Sequence, residues 1–166
     1  MASPPGNPLD FTEFANALTP RLFRSALLMC GDWQLAEDLV QTTWANLYRS
    51  WRKVSAADNP TAYAHGALTK CFLSYRRTRS STERPGLELI DRQSTDPDVA
   101  TRLSVLDALS RLDKLDRAIV VLRYWEDRSV DETAAALGVR PGVVKTRSHR
   151  ALKVLRRELG AWEEAS

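Results

Sequence analysis

The sequence of 166 residues has few side chains that commonly bind metals: its histidines are His65 and His149, and its cysteines are Cys30 and Cys71. Their separations do not match the closely paired ligands of zinc sites, so we expect no metal centre and no cofactor. Both thiols occur among apolar residues with helical spacing, and we expect ordinary buried or half-buried side chains. A redox switch at these cysteines is the alternative interpretation.

Long apolar runs are also missing. No run approaches the roughly 18 residues that a membrane-spanning helix needs, so we expect no membrane insertion. The first residues, MASPPGNPLDF, lack both the basic segment and the apolar segment of a signal peptide. These two absences predict a cytoplasmic protein.

Residues typical of enzymatic sites do not occur in recognisable arrangements. There is no catalytic triad, paired-carboxylate site or phosphate loop, and GVRPG lacks the Lys-Ser or Lys-Thr pair of a Walker loop. The chain is therefore not expected to be an enzyme.

Signals for β-strands are absent as well: there is no sustained alternation of apolar and polar residues, and no Asn-Gly or Asp-Gly hairpin turn. Apolar residues instead recur with helical spacing, which predicts an all-α fold. In the first half, helices are expected at about residues 10–29, 33–51 and 61–79. Gly31 and Asp32 separate the first two helices, and Pro20 could kink or split the first.

The stretch from residue 80 to about 97 is rich in Ser, Pro, Gly and acidic residues without periodicity, which is typical of a linker. Beyond it, helices are expected at about residues 97–112, 113–125, 129–137 and from 141 onward, with caps at Asp113 and Ser129. The predicted organisation has a disordered N-terminus (1–10), a small helical domain (11–79), a flexible linker (80–101) and a second small helical domain (102–160).

Residues 129–157 have the pattern of a helix-turn-helix: a short helix, a tight turn at Gly138, and a longer basic helix that begins at Pro141. Leu137, Val139 and Val144 would form the apolar wedge between the helices. The basic helix predicts binding in the major groove of DNA. The candidates for base contacts are Thr146, Arg147, His149 and Arg150, and those for phosphate contacts are Arg140, Lys145 and Lys153. The alternative is a helical hairpin with a solvated basic face.

Two faces of the first domain carry further candidates. Glu37, Asp38 and Gln41 form a polar face on the second helix, which suits a basic protein partner or serves only solubility. The third helix interleaves aromatic residues with cations: Tyr63, Lys70, Phe72, Tyr75, Arg76, Arg77 and Arg79. Such a pattern suits single-stranded or melting DNA, because unpaired bases stack on aromatic rings. The alternative is that these aromatic residues belong to the core.

Three stretches resemble one protein family. AEDLVQTTWANLYRSW resembles region 2.2 of bacterial RNA polymerase sigma factors, and PTAYAHGALTKCFLSYRRTR is similar to their regions 2.3 and 2.4. Residues 108–159, including LRYWEDRS, ETAAALG and GVVKTRSHRAL, resemble region 4. The order of region 2, short linker and region 4 is that of the extracytoplasmic-function (group IV) class, and the second half is most similar to actinobacterial members.

The resemblance implies a sigma factor that binds core RNA polymerase and promoter DNA and directs promoter-specific initiation. It places Glu37, Asp38 and Gln41 at the β′ clamp of the polymerase, and the surface around Ile119, Leu122 and Trp125 at the β flap. The residues implied for the −10 element are Tyr63, Lys70, Tyr75, Arg76 and Arg77. Those implied for the −35 element are Lys145, Thr146, Arg147, His149 and Arg150, with Arg140 and Lys153 beside them. An anti-sigma factor is left open as a further partner.

The chain departs from the family pattern at several positions. Lys70 replaces a usual Asn, and Asp113 replaces a frequent Pro. His65 and Gly66 stand where basic or large apolar residues are common, and a glycine inside a helix costs up to ~1 kcal/mol relative to alanine. Two alternatives stay open: a stand-alone helix-turn-helix regulator, and a sigma-like interaction protein that does not initiate transcription.

Overall fold

The computed structural model describes the backbone of residues 10–75 and 97–165, and the side chains of residues 10–75 and 100–160. In these ranges the regular secondary structure is helical, which confirms the all-α prediction. The first part contains α1 (Phe11–Cys30), α2 (Trp33–Arg49), α3 (Trp51–Ser55) and α4 (Pro60–Ser74). The second part contains α5 (Pro97–Ser110), α6 (Lys114–Val120), a π-helical turn (Val121–Trp125), α7 (Val130–Leu137) and α8 (Pro141–Ala165).

Local capping signals set several helix ends where the sequence predicted them. The carboxylates of Asp32 and Asp113 accept backbone hydrogen bonds in the first turns of α2 and α6, at 2.9, 3.2 and 2.8 Å. The Ser129 hydroxyl caps α7 by accepting a hydrogen bond from a backbone N–H at 3.0 Å. Gly31 and Gly138 follow α1 and α7 with φ of +70° and +66°, a left-handed conformation that favours glycine.

Helix boundaries elsewhere differ from the prediction. α1 runs without a break through Pro20, whose missing N–H removes one internal hydrogen bond without splitting the helix. α4 ends at Ser74, because the backbone of Tyr75 is extended, with φ −65° and ψ 119°. α5 begins at Pro97, where the helix over residues 97–112 was predicted to begin, although the predicted domain boundary had placed residues 97–101 in the linker. The predicted N-terminal segment up to residue 9, the helical residues 76–79 and the linker residues 80–96 lie outside the described residues.

The four helices of the first part enclose an apolar core. Its largest buried side chains include Leu22, Met29, Leu47, Leu68 and Phe72. An aromatic cluster joins the start of α1 to α2 and α3 through edge contacts among Phe11, Phe14, Trp44, Tyr48 and Trp51. None of the helices in the described ranges is both long and apolar enough to cross a membrane.

The helix-turn-helix is formed by α7 and α8 packed on α6. Ile119, Ala134 and Val144 are buried at the point where the three helices meet. Leu137 and Val139 pack against this cluster from the turn. The predicted apolar wedge is therefore confirmed, and it fixes the direction in which α8 leaves the turn.

The two parts of the chain also pack on each other, which the sequence did not predict. Ala118 and Val121, from α6 and the π-helical turn, are buried in the core of the first four helices. α4 lies so close to α7 that a Cβ on Gly66 would stand 3.7 Å from the Cβ of Ala136. The two predicted domains therefore share an interface in this structure.

Candidate nucleic-acid interface

One face of α8 carries exposed polar side chains of the predicted recognition helix: Lys145, Thr146, His149, Arg150 and Lys153. Val144, Ser148 and Ala151 are buried on the opposite face, as the three-and-four spacing of a helix requires. Arg140 is exposed just before α8 begins at Pro141. The predicted outward orientation of these side chains is confirmed, and their binding to DNA stays a prediction.

Arg147 differs from its neighbours on α8 because two carboxylates hold it. Its Nη1 lies 2.9 Å from Oδ1 of Asp116 and 3.3 Å from Oδ2 of Asp113. The hydrogen bond to Asp116 raises the pKa of Arg147, and the charge of Asp113 adds to this effect. Arg147 therefore ties α8 to the start of α6, and its Nη1 is engaged by these two carboxylates.

Arg150 lies on the solvent side of the same carboxylates. Its Nη2 is 3.7 Å from Oδ2 of Asp116, and its side chain is 60% exposed, against 30% for Arg147. A contact this long, made by a side chain this exposed, contributes little to stability, so Arg150 stays available to a ligand.

The hydrogen bonds of Arg147 join residues 31 and 34 positions apart in the chain, and no local sequence pattern reveals them.

A groove of about 470 Å³ lies between α2 and α4. Lys70 and Tyr75 line it, together with residues that include Asn46 and Cys71. Lys70 is exposed, and Tyr75 follows the last turn of α4 with 36% of its surface exposed. The structure thus brings a cation and an aromatic ring, both predicted for the −10 element, to one concave surface.

The other aromatic residues of α4 belong to the core in full or in part. Phe72 is 2% exposed, and Tyr63 packs half-buried against the core of the first four helices. The core interpretation of Phe72 is therefore confirmed, and Tyr63 has only part of its ring free for a ligand. Arg76 and Arg77, predicted for the same element, lie outside the described residues.

Glu37, Asp38 and Gln41 form an exposed polar stripe on α2. The Trp33 indole N–H donates a hydrogen bond to Glu37 at 3.2 Å, and the Gln34 amide donates one to Asp38 at 3.2 Å. These bonds run one helical turn along the surface. They hold the two carboxylates in place without removing them from solvent, so the stripe is available to a partner.

The surface predicted to meet the β flap is only partly present. Ile119 and Leu122 are 0% and 1% exposed, so the prediction that they form an accessible surface is wrong. The Glu126 N–H donates to the Val121 carbonyl at 2.9 Å, and this i→i+5 bond widens the helix by one residue. The regular helical spacing is lost there, which leaves Trp125 on the surface with 52% exposure.

Two family models match the chain. Residues 14–82 match the model described as Sigma-70 region 2, and residues 102–155 match the one described as Sigma-70, region 4. The chain belongs to the sigma-70 family.

Two relatives of this chain are sigma factors of actinobacteria. The chain is 36% identical over 158 residues to the RNA polymerase sigma-E factor of Streptomyces coelicolor, and the alignment covers 94% of this chain and 89% of that protein. It is 32% identical over 155 residues to the ECF RNA polymerase sigma factor SigL of Mycobacterium tuberculosis, covering 84% of each. The resemblance to extracytoplasmic-function members from actinobacteria is thereby confirmed.

The fold of this sigma-70 family chain is similar to two solved structures. The first is the sigma factor RpoE in complex with the anti-sigma factor NepR from Bartonella quintana, with a TM-score of 0.69, 21% identity, and 91% of this chain and 97% of that chain covered. The second is CnrH in complex with the cytosolic domain of CnrY, with a TM-score of 0.63, 21% identity, and 94% and 91% covered. At this level of identity the likeness establishes a shared fold.

Proposed function

We propose that this chain binds core RNA polymerase as a sigma factor and directs promoter-specific initiation of transcription. The observation that carries the proposal is the presence of region 2 and region 4, in that order, over most of the chain. The polymerase, and not this chain, would supply catalysis. The protein would act in the cytoplasm, because bacterial polymerase transcribes there.

The −35 element is assigned to the exposed face of α8. Base contacts are assigned to Thr146, His149 and Arg150, and phosphate contacts to Arg140, Lys145 and Lys153. Arg147 is assigned a positioning role, because its ion pairs with Asp113 and Asp116 hold α8 against α6. A fixed recognition helix matters here, since base contacts need side chains at hydrogen-bond distance from the groove floor.

The −10 element is assigned to the groove between α2 and α4. Lys70 would contact a phosphate, and Tyr75 would stack on an unpaired base, a contact worth about 1–3 kcal/mol in single-strand binding. Tyr63 would add the exposed part of its ring. Arg76 and Arg77 are retained as candidates from the sequence alone.

Polymerase binding is assigned to two surfaces. The stripe of Glu37, Asp38 and Gln41 would face a basic surface of the β′ clamp, because opposite charges across an interface favour association. Trp125, with the neighbouring exposed Tyr124, would meet the β flap. An anti-sigma factor is a further candidate partner, since RpoE of similar fold forms a complex with one.

Co-elution with core polymerase, followed by transcription from promoter fragments, tests this function. A sigma factor should bind core and produce promoter-dependent transcripts. Core binding without transcripts would favour the interaction protein that does not initiate. DNA binding without any association with core would favour the stand-alone regulator.

A further inference from the structure

Four charged side chains join the start of α6 to the recognition helix α8. Asp113 and Asp116 are three residues apart at the start of α6, and Arg147 and Arg150 are three residues apart on α8. Residues at this spacing are neighbours on the surface of a helix, so a pair of carboxylates faces a pair of guanidinium groups. Asp116 is the member that contacts both arginines, and its side chain is 8% exposed.

The two carboxylate oxygens of Asp116 have different partners. Oδ1 accepts a hydrogen bond from Nη1 of Arg147 at 2.9 Å, whereas Oδ2 lies 3.7 Å from Nη2 of Arg150. The backbone N–H of Asp116 donates to Oδ1 of Asp113 at 2.8 Å, which fixes the first turn of α6. Because Asp116 is held through its backbone and through Oδ1, its Oδ2 is kept at a defined place beside Arg150.

The contact between Asp116 and Arg150 is not needed to attach α8. Arg147 already meets two carboxylates there, at 2.9 and 3.3 Å. Arg150 is 60% exposed, and a long exposed arginine samples many rotamers unless a neighbour restricts it. The charge on Oδ2 favours the rotamers that keep the guanidinium at the edge of α6. The entropy that Arg150 would lose on binding a base is then partly lost in advance.

The length of this contact leaves the hydrogen-bond donors of Arg150 available. A separation of 3.7 Å exceeds that of a hydrogen bond, so Asp116 attracts the guanidinium through charge without using one of its five N–H groups. Reading a guanine requires two of these groups side by side, one for O6 and one for N7. In the major groove, guanine is the base whose edge presents two acceptors and no donor. A guanidinium held in one orientation with its donors available suits this base.

We propose that Asp116 is a positioning residue that orients Arg150 to read a guanine of the −35 element. The inference rests on the proposed function, which assigns Arg150 to a base, and it adds the identity of that base and the side chain that directs Arg150. Asp116 acts through Arg150 and not through a DNA contact of its own, because its carboxylate is buried between α6 and α8.

Binding of the holoenzyme to promoter fragments, in which each −35 base pair is replaced in turn, tests the proposal. Arg150→Ala identifies the position that Arg150 reads, and we expect a G·C pair there. Asp116→Asn keeps the shape and an acceptor for Arg147 but removes the charge beside Arg150. It should reduce the preference for guanine at that position by about two- to fivefold, the range of an exposed ion pair, and leave the other positions unchanged. In the Arg150→Ala chain, Asp116→Asn should cause no further change in preference.

Asp113→Asn is the matched control. It removes a charge from Arg147 but none from Arg150, and asparagine caps a helix about as well as aspartate does. The guanine preference should therefore stay the same in this variant. If Asp116→Asn does not fold, Asp116→Asn combined with Arg147→Gln replaces the ion pair by two amides, and Arg147→Gln alone is its reference.

Three results would overturn the proposal. An equal loss of affinity for all fragments in Asp116→Asn would show that Asp116 only holds α8 in place. An equal loss of guanine preference in Asp113→Asn would show that the effect does not pass through the contact with Arg150. A base other than guanine at the Arg150 position, or no such position, would remove the assigned target. Failure of the proposed function is distinguishable, because the wild-type chain with core would then show no preference among the fragments at any position.

Discussion

Arg150 lies three residues from Arg147 on α8, and replacing it by alanine should affect sequence preference and not stability. Its Nη2 lies 3.7 Å from Oδ2 of the buried Asp116, and the Arg150 side chain itself is 60% exposed, so we expect this long ion pair to contribute at most ~1 kcal/mol. The Tm of Arg150→Ala should therefore fall by no more than about 4 °C. If the guanidinium reads a base, the holoenzyme should lose about 1–3 kcal/mol at one −35 position, which is roughly 5- to 150-fold in affinity.

Arg147→Ala should act mainly on stability. It leaves the carboxylate of Asp116, whose side chain is 8% exposed, without its 2.9 Å partner. A buried acceptor that loses its partner costs about 1–3 kcal/mol, and the free energy of unfolding should fall by that amount. The preferred −35 sequence should stay the same, because Arg147 is not assigned to a base.

Both effects can be measured with purified holoenzyme and promoter fragments in which each −35 base pair is replaced in turn. Lys145→Ala is the matched control, since loss of a phosphate contact should weaken binding to all fragments equally. Urea unfolding of the free variants gives their stability. The reasoning is refuted if Arg147→Ala changes the preferred sequence at unchanged stability, or if Arg150→Ala weakens binding to all fragments alike.

Asp38→Ala should lower the affinity for core polymerase by about tenfold, or ~1.4 kcal/mol, in a core-binding titration. Asp58→Ala removes an exposed acid outside the stripe of Glu37, Asp38 and Gln41, and it should leave this affinity unchanged. Equal effects of the two variants would contradict the assignment of the stripe to polymerase binding. Burial lowers the pKa of His65 to about 4, against its ordinary value of 6.5, with Glu126 opposing this shift. The unfolded chain therefore binds more protons between these values, and stability should fall as pH drops from about 6.5 to 4, by up to ~1.4 kcal/mol per unit. In urea unfolding across that window, His65→Gln should show a shallower loss, and an unchanged slope would contradict the assignment. Gly66→Ala should raise the free energy of unfolding by up to ~1 kcal/mol, because alanine is favoured over glycine inside a helix and the new Cβ would meet Ala136 at an ordinary contact distance. A decrease in the free energy of unfolding would show that the α4–α7 packing cannot accept the extra methyl group.

The helix ends and the helix-turn-helix could be predicted because they depend on neighbouring residues. Asp32, Asp113 and Ser129 cap helices through atoms two or three positions away, and the residue types that do this are few. The wedge of Leu137 and Val139 follows from apolar residues at helical spacing on either side of a glycine turn. The exposed polar faces of α2 and α8 followed from the same periodicity.

The packing of the two parts on each other, and the contacts of Glu126, could not be predicted because they depend on residues far apart in the sequence. Glu126 meets Ser25 from 101 positions away, and nothing in the local sequence of LRYWEDRS indicates that its carboxylate points into the molecule. Residues 118–122 are all buried, because this segment packs against the first four helices, α5 and the helix-turn-helix, and Leu122 therefore lies inside where a surface was expected. His65 and Gly66 stood out as departures from the family pattern, and both lie at the interface between the two parts.

Sequencing the 5′ ends of transcripts made by core polymerase with this chain from a genomic promoter pool would test the sigma-factor function most directly. We expect discrete start sites that share two upstream elements, near −35 and −10, and that are absent with core polymerase alone. Start sites that depend on the chain but share no upstream element would contradict promoter recognition by α8 and the α2–α4 groove. The absence of chain-dependent starts, with core polymerase bound, would contradict the function itself.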